Sequence, residues 1–127
     1  MSKTCEQTVA EYFAAIRAMD ADRFVNVFAA NGVSHDPVGA PPQVGHDALR
    51  AFFSGIVAGC ETLSLTEDNV FAAGNSAAVP WTGKGVGKNG KPVSFHGVDV
   101  IDCDAEGKIV LVRAFWDPGP VMAVLMS

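Results

Sequence analysis

An aspartate before a proline, an aspartate in an alternating strand and a lone tyrosine are the residues of this chain best suited to moving a proton. Asp36 opens the stiff, apolar turn Asp36-Pro37-Val38-Gly39-Ala40-Pro41-Pro42, with few charges near it in sequence. A residue before proline is pushed towards extended backbone. An aspartate in a turn often accepts a hydrogen bond from a backbone N–H just downstream. Pro37 has no N–H to give, so one stabiliser of the charged carboxylate is missing and Asp36 should stay basic. A turn-forming aspartate before proline is also common in any loop, and these residues alone leave both roles open.

Asp99 is the more informative acid. Read with period two from Val93, the segment puts Val93, Phe95, Gly97, Asp99, Ile101 and Cys103 on one face and Ser94, His96, Val98, Val100 and Asp102 on the other. Asp99 is the polar exception on the more apolar face. A carboxyl group there either neutralises or finds a strong partner. An edge strand would let it reach solvent, and a one-residue bulge would exchange it with Asp102. Tyr12, the one tyrosine of the chain, lies on the apolar stripe of a helix, where a buried phenol needs a partner for its hydroxyl. A core tyrosine bonded to a carbonyl would satisfy the same pattern. A base, a neutral carboxylic acid and a phenol around one apolar cavity suit proton abstraction alpha to a carbonyl. The two donors would hold the enolate oxygen while the base returns the proton to another carbon.

The elements that must position these groups are legible in outline. Val9, Tyr12, Phe13 and Ile16 recur at helical spacing within residues 4–20. Asp20 is a candidate cap for a second helix over residues 21–29, closed by Asn31-Gly32. A short extended segment, residues 33–37, follows. Leu49, Phe52, Phe53 and Ile56 mark a third helix over residues 46–59. Strands are then expected over 62–74, 75–87, 92–104 and 108–118, with Lys88-Asn89-Gly90-Lys91 as a hairpin turn. The C-terminal Val121-Met122-Ala123-Val124-Leu125-Met126 is too short to span a membrane and is expected to pack against a neighbour. Three helices followed by an antiparallel meander make an α+β domain over residues 1–127, its helices covering a curved sheet that encloses a cavity.

At this point the residues resemble the delta-5-3-ketosteroid isomerases, a family within the SnoaL-like, nuclear-transport-factor-like superfamily. The resemblance rests on the helix-1 tyrosine Tyr12, on "DPVGAPPQVG" from Asp36 to Gly45, on Asp99, and on "DAEGKI" from Asp104 to Ile109. It extends over nearly the whole chain. It implies that Asp36 is the base carrying a proton from steroid C4 to C6, with Tyr12 and a protonated Asp99 as donors to the 3-keto oxygen. It also implies that Phe28, Phe53, Val79, Trp81, Val112 and Trp116 line the substrate cavity, that no cofactor is needed, and that the protein is a homodimer with sheets packed face to face. Members often carry further tyrosines bonded to the catalytic one. Phe28 and Phe53 stand at those positions here, which puts the rate in question more than the reaction.

The remaining chemistry is weak. His35, His46 and His96 lack metal-ligand spacing, and His35 and Asp36 should point apart in an extended segment. The glycines of residues 83–90 lie in a hairpin, not between a strand and a helix, so they make no phosphate loop. Cys5, Cys60 and Cys103 are odd in number and show no paired spacing, which fits a reducing cytoplasm. The chain has 127 residues, 49% of them hydrophobic, and a net charge of -5 without a basic run. Nucleic acid and anionic membranes are therefore poor partners. The apolar excess implies a large core, a lined pocket or an interface. Two other functions compete with steroid isomerisation: another SnoaL-like enzyme, such as a polyketide cyclase or dehydratase, and a non-catalytic binder of small apolar ligands.

Overall fold

A computed structural model describes residues 3–127. Helix α1 (Cys5–Arg17) starts at a reciprocal cap: the Gln7 N–H donates to Thr4 Oγ1 at 3.1 Å and the Thr4 N–H donates to Gln7 Oε1 at 3.0 Å. Its expected stripe, Val9, Tyr12, Phe13 and Ile16, is buried. Helix α2 (Ala21–Asn26) is capped by Asp20, as expected, but ends three residues early. Strand β1 (Phe28–His35) begins where the helix was expected to continue. Six residues hold too little helix on their own. Pairing with the last strand takes Phe28 instead: Phe28 faces Ile109, and the Ile109 N–H donates to Val27 O at 2.9 Å. Asn31-Gly32, expected as a helix stop, lies where the register shifts between Phe28 and Val33. A Cβ on Gly32 would stand 2.9 Å from Ile109 O, so only glycine fits that close approach.

Strand β2 (Gln43–Val44) and helix α3 (His46–Gly59) follow, the helix with the expected limits. The segment expected as one strand over 62–74 is two, β3 (Cys60–Glu67) and β4 (Phe71–Ala73). Asp68 breaks it: its N–H donates to Pro80 O at 2.8 Å and its carboxylate accepts from the Thr82 hydroxyl at 2.8 Å. The long hairpin of β5 (Ser76–Gly87) and β6 (Pro92–Cys103) leads into β7 (Ile109–Phe115). The last residues form a fourth helix, α4 (Gly119–Leu125), not anticipated from the sequence. Among the described residues no helix is long and apolar enough to cross a membrane.

The strands make one seven-stranded sheet in the order β2-β1-β7-β6-β5-β3, with β4 on β5; β1 and β7 are parallel and the other pairs antiparallel. The sheet curls around the helices to form a cone. Cross-strand pairing stacks its inner face in rows. Val79, Asp99 and Ala114 form one row. Ala77, Ile101, Val112 and Ser34 form the next towards the closed end, and Trp81 and Gly97 the next towards the open end. β6 lies between two neighbours and alternates as the pattern predicts: Asp99 is 2% exposed, whereas Asp102 turns outward and accepts from the Ser76 hydroxyl.

Gly97 makes room for the aromatic row at the open end. A Cβ there would stand 2.5 Å from Phe115 O, 2.8 Å from Trp116 Cβ and 2.8 Å from Trp81 Cζ2. Gly97→Ala should therefore lose about 1–3 kcal/mol of stability, read by urea unfolding, and should change the tryptophan signal in near-ultraviolet circular dichroism. An unchanged midpoint would mean that the two indoles can separate freely.

Candidate active site

A cavity of about 410 Å³ opens between the inner sheet face and helices α1, α3 and α4. Tyr12, Asp36 and Asp99 all line it, and most of the remaining wall is carbon: Ile16, Phe24, Phe52, Phe53, Ile56, Leu63, Leu65, Trp81, Val93, Phe95 and Trp116, with Val121, Met122 and Leu125 from α4. The three groups expected to act together thus share one space, although 63 positions separate Asp36 from Asp99 in the chain.

Each carboxyl group is held by an indole. The Trp81 Nε1–H donates to Asp99 Oδ1 at 2.9 Å, and the Trp116 Nε1–H donates to Asp36 Oδ1 at 2.6 Å. The two tryptophans meet edge to face at 6.3 Å, and Phe95 packs on both, at 5.6 and 5.4 Å between centroids. One aromatic cluster therefore ties the orientation of both acids together. In each acid Oδ1 is the indole's acceptor, which leaves Oδ2 to work towards the cavity.

Asp36 follows the end of β1, half-buried, and its peptide bond to Pro37 is cis. The Val38 N–H beyond it donates to Ala114 O at 2.9 Å, pinning the turn to β7. Tyr12 sits among rings that carry no hydroxyl: Phe13, Phe24 and Phe28, with centroids 5.2, 5.5 and 6.1 Å away. Phe53 stacks on Phe24 at 4.4 Å. Of the phenylalanines at the expected tyrosine positions, Phe28 packs on Tyr12 and Phe53 reaches it only through Phe24; neither can bond its hydroxyl, which is left available to a ligand.

The electrostatics follow from the shortage of water. Burial, and then the charge of Asp36, pushes the Asp99 carboxyl up to about 8 against the opposing bond from Trp81. Burial also raises Asp36, opposed by its bond from Trp116. Burial, and then the charges of Asp99 and Asp36, keeps the Tyr12 phenol well above its usual range, so it stays a donor. A neutral acid and a phenol beside a more accessible carboxylate can abstract a proton and stabilise the resulting oxyanion.

Of the residues expected on the wall, Phe53, Trp81 and Trp116 line the cavity. Phe28, Val79 and Val112 do not; they are buried in the core behind it. Val79 flanks Asp99 in its row and Val112 lies one row deeper, so the positions that the resemblance put on the wall lie on the inner sheet face without reaching the cavity. Residues not anticipated include Phe95, which shares the strand face of Asp99, and the α4 side chains Val121, Met122 and Leu125. Pro118-Gly119-Pro120 was the available signal for the latter, since proline favours a first helical turn. The His46 Nε2–H donates to Phe28 O at 2.9 Å and so serves the backbone. Among the described residues no group of three His, Cys, Asp or Glu is placed to hold a metal ion.

Comparison with known proteins gives this geometry a family. The model of the SnoaL-like domain matches residues 9–112. The chain belongs to the SnoaL-like family. A relative described as a steroid delta-isomerase, from Nocardioides simplex, is 29% identical over 122 residues, covering 96% of this chain and 97% of its own. Among solved structures, the epoxide hydrolase/cyclase-like enzyme SalBIII, described for its role in pyran ring formation in polyether salinomycin, superposes with a TM-score of 0.81. It is 30% identical, over 89% of this chain and 90% of that one. An NTF2-like protein of unknown function from Burkholderia pseudomallei K96243 superposes with a TM-score of 0.85 at 20% identity, over 98% and 99% of the two chains, and shares the fold.

The raised acid has a consequence for stability. The folded SnoaL-like chain keeps a proton on Asp99 up to about pH 8, whereas an unfolded aspartate loses it near ~3.9. Between those values the folded state binds more protons. This contribution is therefore complete below the unfolded value and is lost as pH rises through about 8. Wild-type protein should lose stability with rising pH across this window, by up to ~1.4 kcal/mol per pH unit. Asp99→Asn should flatten that dependence. Urea unfolding from about pH 5 to about pH 8 measures both; identical slopes would show that Asp99 is ionised in the folded protein.

Proposed function

We propose that this SnoaL-like protein is a cofactor-independent isomerase that converts 3-oxo-delta-5 steroids to 3-oxo-delta-4 steroids. One observation carries this function: two carboxyl groups, each fixed by an indole, stand at different depths in one apolar cavity that also holds a phenol. The match to a relative described as a steroid delta-isomerase supports it.

The flat ligand lies in the aromatic slot with its 3-keto oxygen at Tyr12 and Asp99. Asp36 Oδ2 takes a proton from C4, and the electron pair moves onto the carbonyl oxygen to give a dienolate. The Tyr12 hydroxyl and a proton on Asp99 Oδ2 donate to that oxygen, a bond that strengthens as charge develops. Asp36 then delivers the same proton to C6, and the double bond settles between C4 and C5. No atom is gained or lost. Trp116 matters because a base that serves two carbons must swing without leaving the site.

A second chemistry has one observation in its favour, the likeness to an epoxide hydrolase/cyclase-like enzyme. The same pair could open an epoxide, Asp99 giving a proton to the ring oxygen and Asp36 taking one from an attacking hydroxyl. Non-catalytic binding of an apolar ligand would leave the paired acids without a task. The outer sheet face, where Val98 and Phe115 lie side by side at 38% and 46% exposure, supports a homodimer.

Conversion of 5-androstene-3,17-dione, followed by the ultraviolet band of the conjugated enone, tests the isomerase. Asp36→Asn should lose about 10³-fold or more in kcat. Tyr12→Phe and Asp99→Leu should each lose about 10²–10³-fold. The profile of kcat/KM should rise as Asp36 ionises and fall above about pH 8 as Asp99 loses its proton. Absence of turnover in a folded wild-type protein, or equal turnover in Asp36→Asn, would contradict the assignment.

A further inference from the structure

The polar groups of the cavity gather at one end. The other end, the open end of the cone, is capped by α4, whose Val121, Met122 and Leu125 line the cavity with Ile56 and Val93. Among the described residues no hydroxyl, amide or charged side chain lines this far wall; its most polar group is the Cys60 thiol. A ligand oxygen buried there would lose its water and gain no hydrogen bond.

The wall is also held in place by a specific device. Asn89, at the tip of the β5–β6 hairpin, donates from Nδ2 to the last carbonyls of α4, Val124 at 3.0 Å and Leu125 at 3.3 Å, and to Ser127 O just beyond the helix at 3.3 Å. Its own Oδ1 accepts the Lys91 N–H at 3.0 Å, and Lys91 Nζ donates to the Ser127 hydroxyl at 2.6 Å. Gly87 leaves room for the joint, since a Cβ there would stand 2.6 Å from Leu125 Cδ2 and 2.8 Å from Asn89 Oδ1. These contacts satisfy carbonyls that a helix end otherwise leaves open. A seven-residue helix needs such support to keep a fixed place.

We propose that α4, latched by Asn89, is the specificity wall of the cavity and selects ligands whose end remote from the carbonyl carries no hydrogen-bonding group. Val121, Met122 and Leu125 are specificity-determining, and Asn89 is a positioning residue that acts through them. The inference rests on the steroid function only for the identity of the ligand. For a steroid, it means an unoxygenated far ring, or one bearing an alkyl side chain, in preference to a far ring bearing a ketone. The enzyme would then act before, not after, reactions that oxidise that end of the molecule.

Binding rather than turnover tests this. Quenching of Trp81 and Trp116 fluorescence would be titrated with androst-4-en-3-one and androst-4-ene-3,17-dione, which differ only at the far ring. A second pair, 6-propyl-2-naphthol and 2,6-dihydroxynaphthalene, keeps one phenol for the Tyr12 end and varies the other. The apolar member of each pair should bind about tenfold tighter. Val121→Thr, nearly the same shape, adds a hydroxyl to the wall and should narrow the difference by strengthening the oxygenated ligand, an effect that simple partitioning would not produce. Asn89→Asp keeps the acceptor for Lys91 but loses the donors to α4, and should also narrow it, through weaker binding of the apolar ligand. Preference in the naphthol pair without binding of either steroid would support the wall and sink the steroid function. Steroid binding with equal affinities, or a preference untouched by Val121→Thr, would overturn the wall and leave the steroid function standing.

Discussion

Charge is expensive to place in a cavity whose walls are mostly carbon, and this cavity contains two carboxyl groups. Once Asp36 is ionised, its charge adds to the cost of ionising Asp99, and burial already opposes it. Position decides which acid carries the charge. Asp36 sits half-buried on a turn and takes a short bond from Trp116, while Asp99 is 2% exposed on the inner face of a central strand. The two acids differ in depth and partner rather than in chemistry, and that difference is what would let one residue type serve as both the proposed base and the proposed hydrogen-bond donor.

The rest of the fold serves this separation. The curled sheet brings the end of β1 close to β6, although only β7 lies between them in the sheet order. Glycines on the inner face leave space for Trp81, Phe95 and Trp116, whose mutual contacts hold both indole N–H groups at the acids. The phenylalanines around Tyr12 pack its ring without giving its hydroxyl a partner, and Tyr12 faces the cavity. A phenol with no hydrogen-bond partner among the described residues can offer its hydrogen bond to a ligand, at the cost of a less rigid placement than a bonded phenol would have.

Much of the site was legible because periodicity reports faces. Period two put Asp99 inward and Asp102 outward, and helical spacing put Tyr12 on the buried stripe. Depth was not legible. Val79 and Val112 lie on the inner face but not on the cavity wall: Val112 is one row deeper than Asp99, because distance along the cone depends on how neighbouring strands are staggered, and Val79 shares the row of Asp99 yet stays in the core. The boundary of α2 failed for a related reason: Phe28 is claimed by pairing with Ile109, a partner 81 positions away, against a weak local preference for helix. Helix α4 was hidden because an apolar run that short is ambiguous until its partners are known. Here those partners are the apolar side chains that line the cavity with it, Ile56 and Val93 among them, and the side chain of Asn89.

The central claim is that the two acids hold opposite protonation states at the same pH. Carbon-detected NMR of protein labelled at the aspartate carboxyl carbon, with Asp36 and Asp99 assigned from their asparagine variants, would read this at about pH 7. The account predicts a neutral acid signal for Asp99 and an ionised signal for Asp36. Two ionised signals, or a neutral Asp36 beside an ionised Asp99, would contradict it.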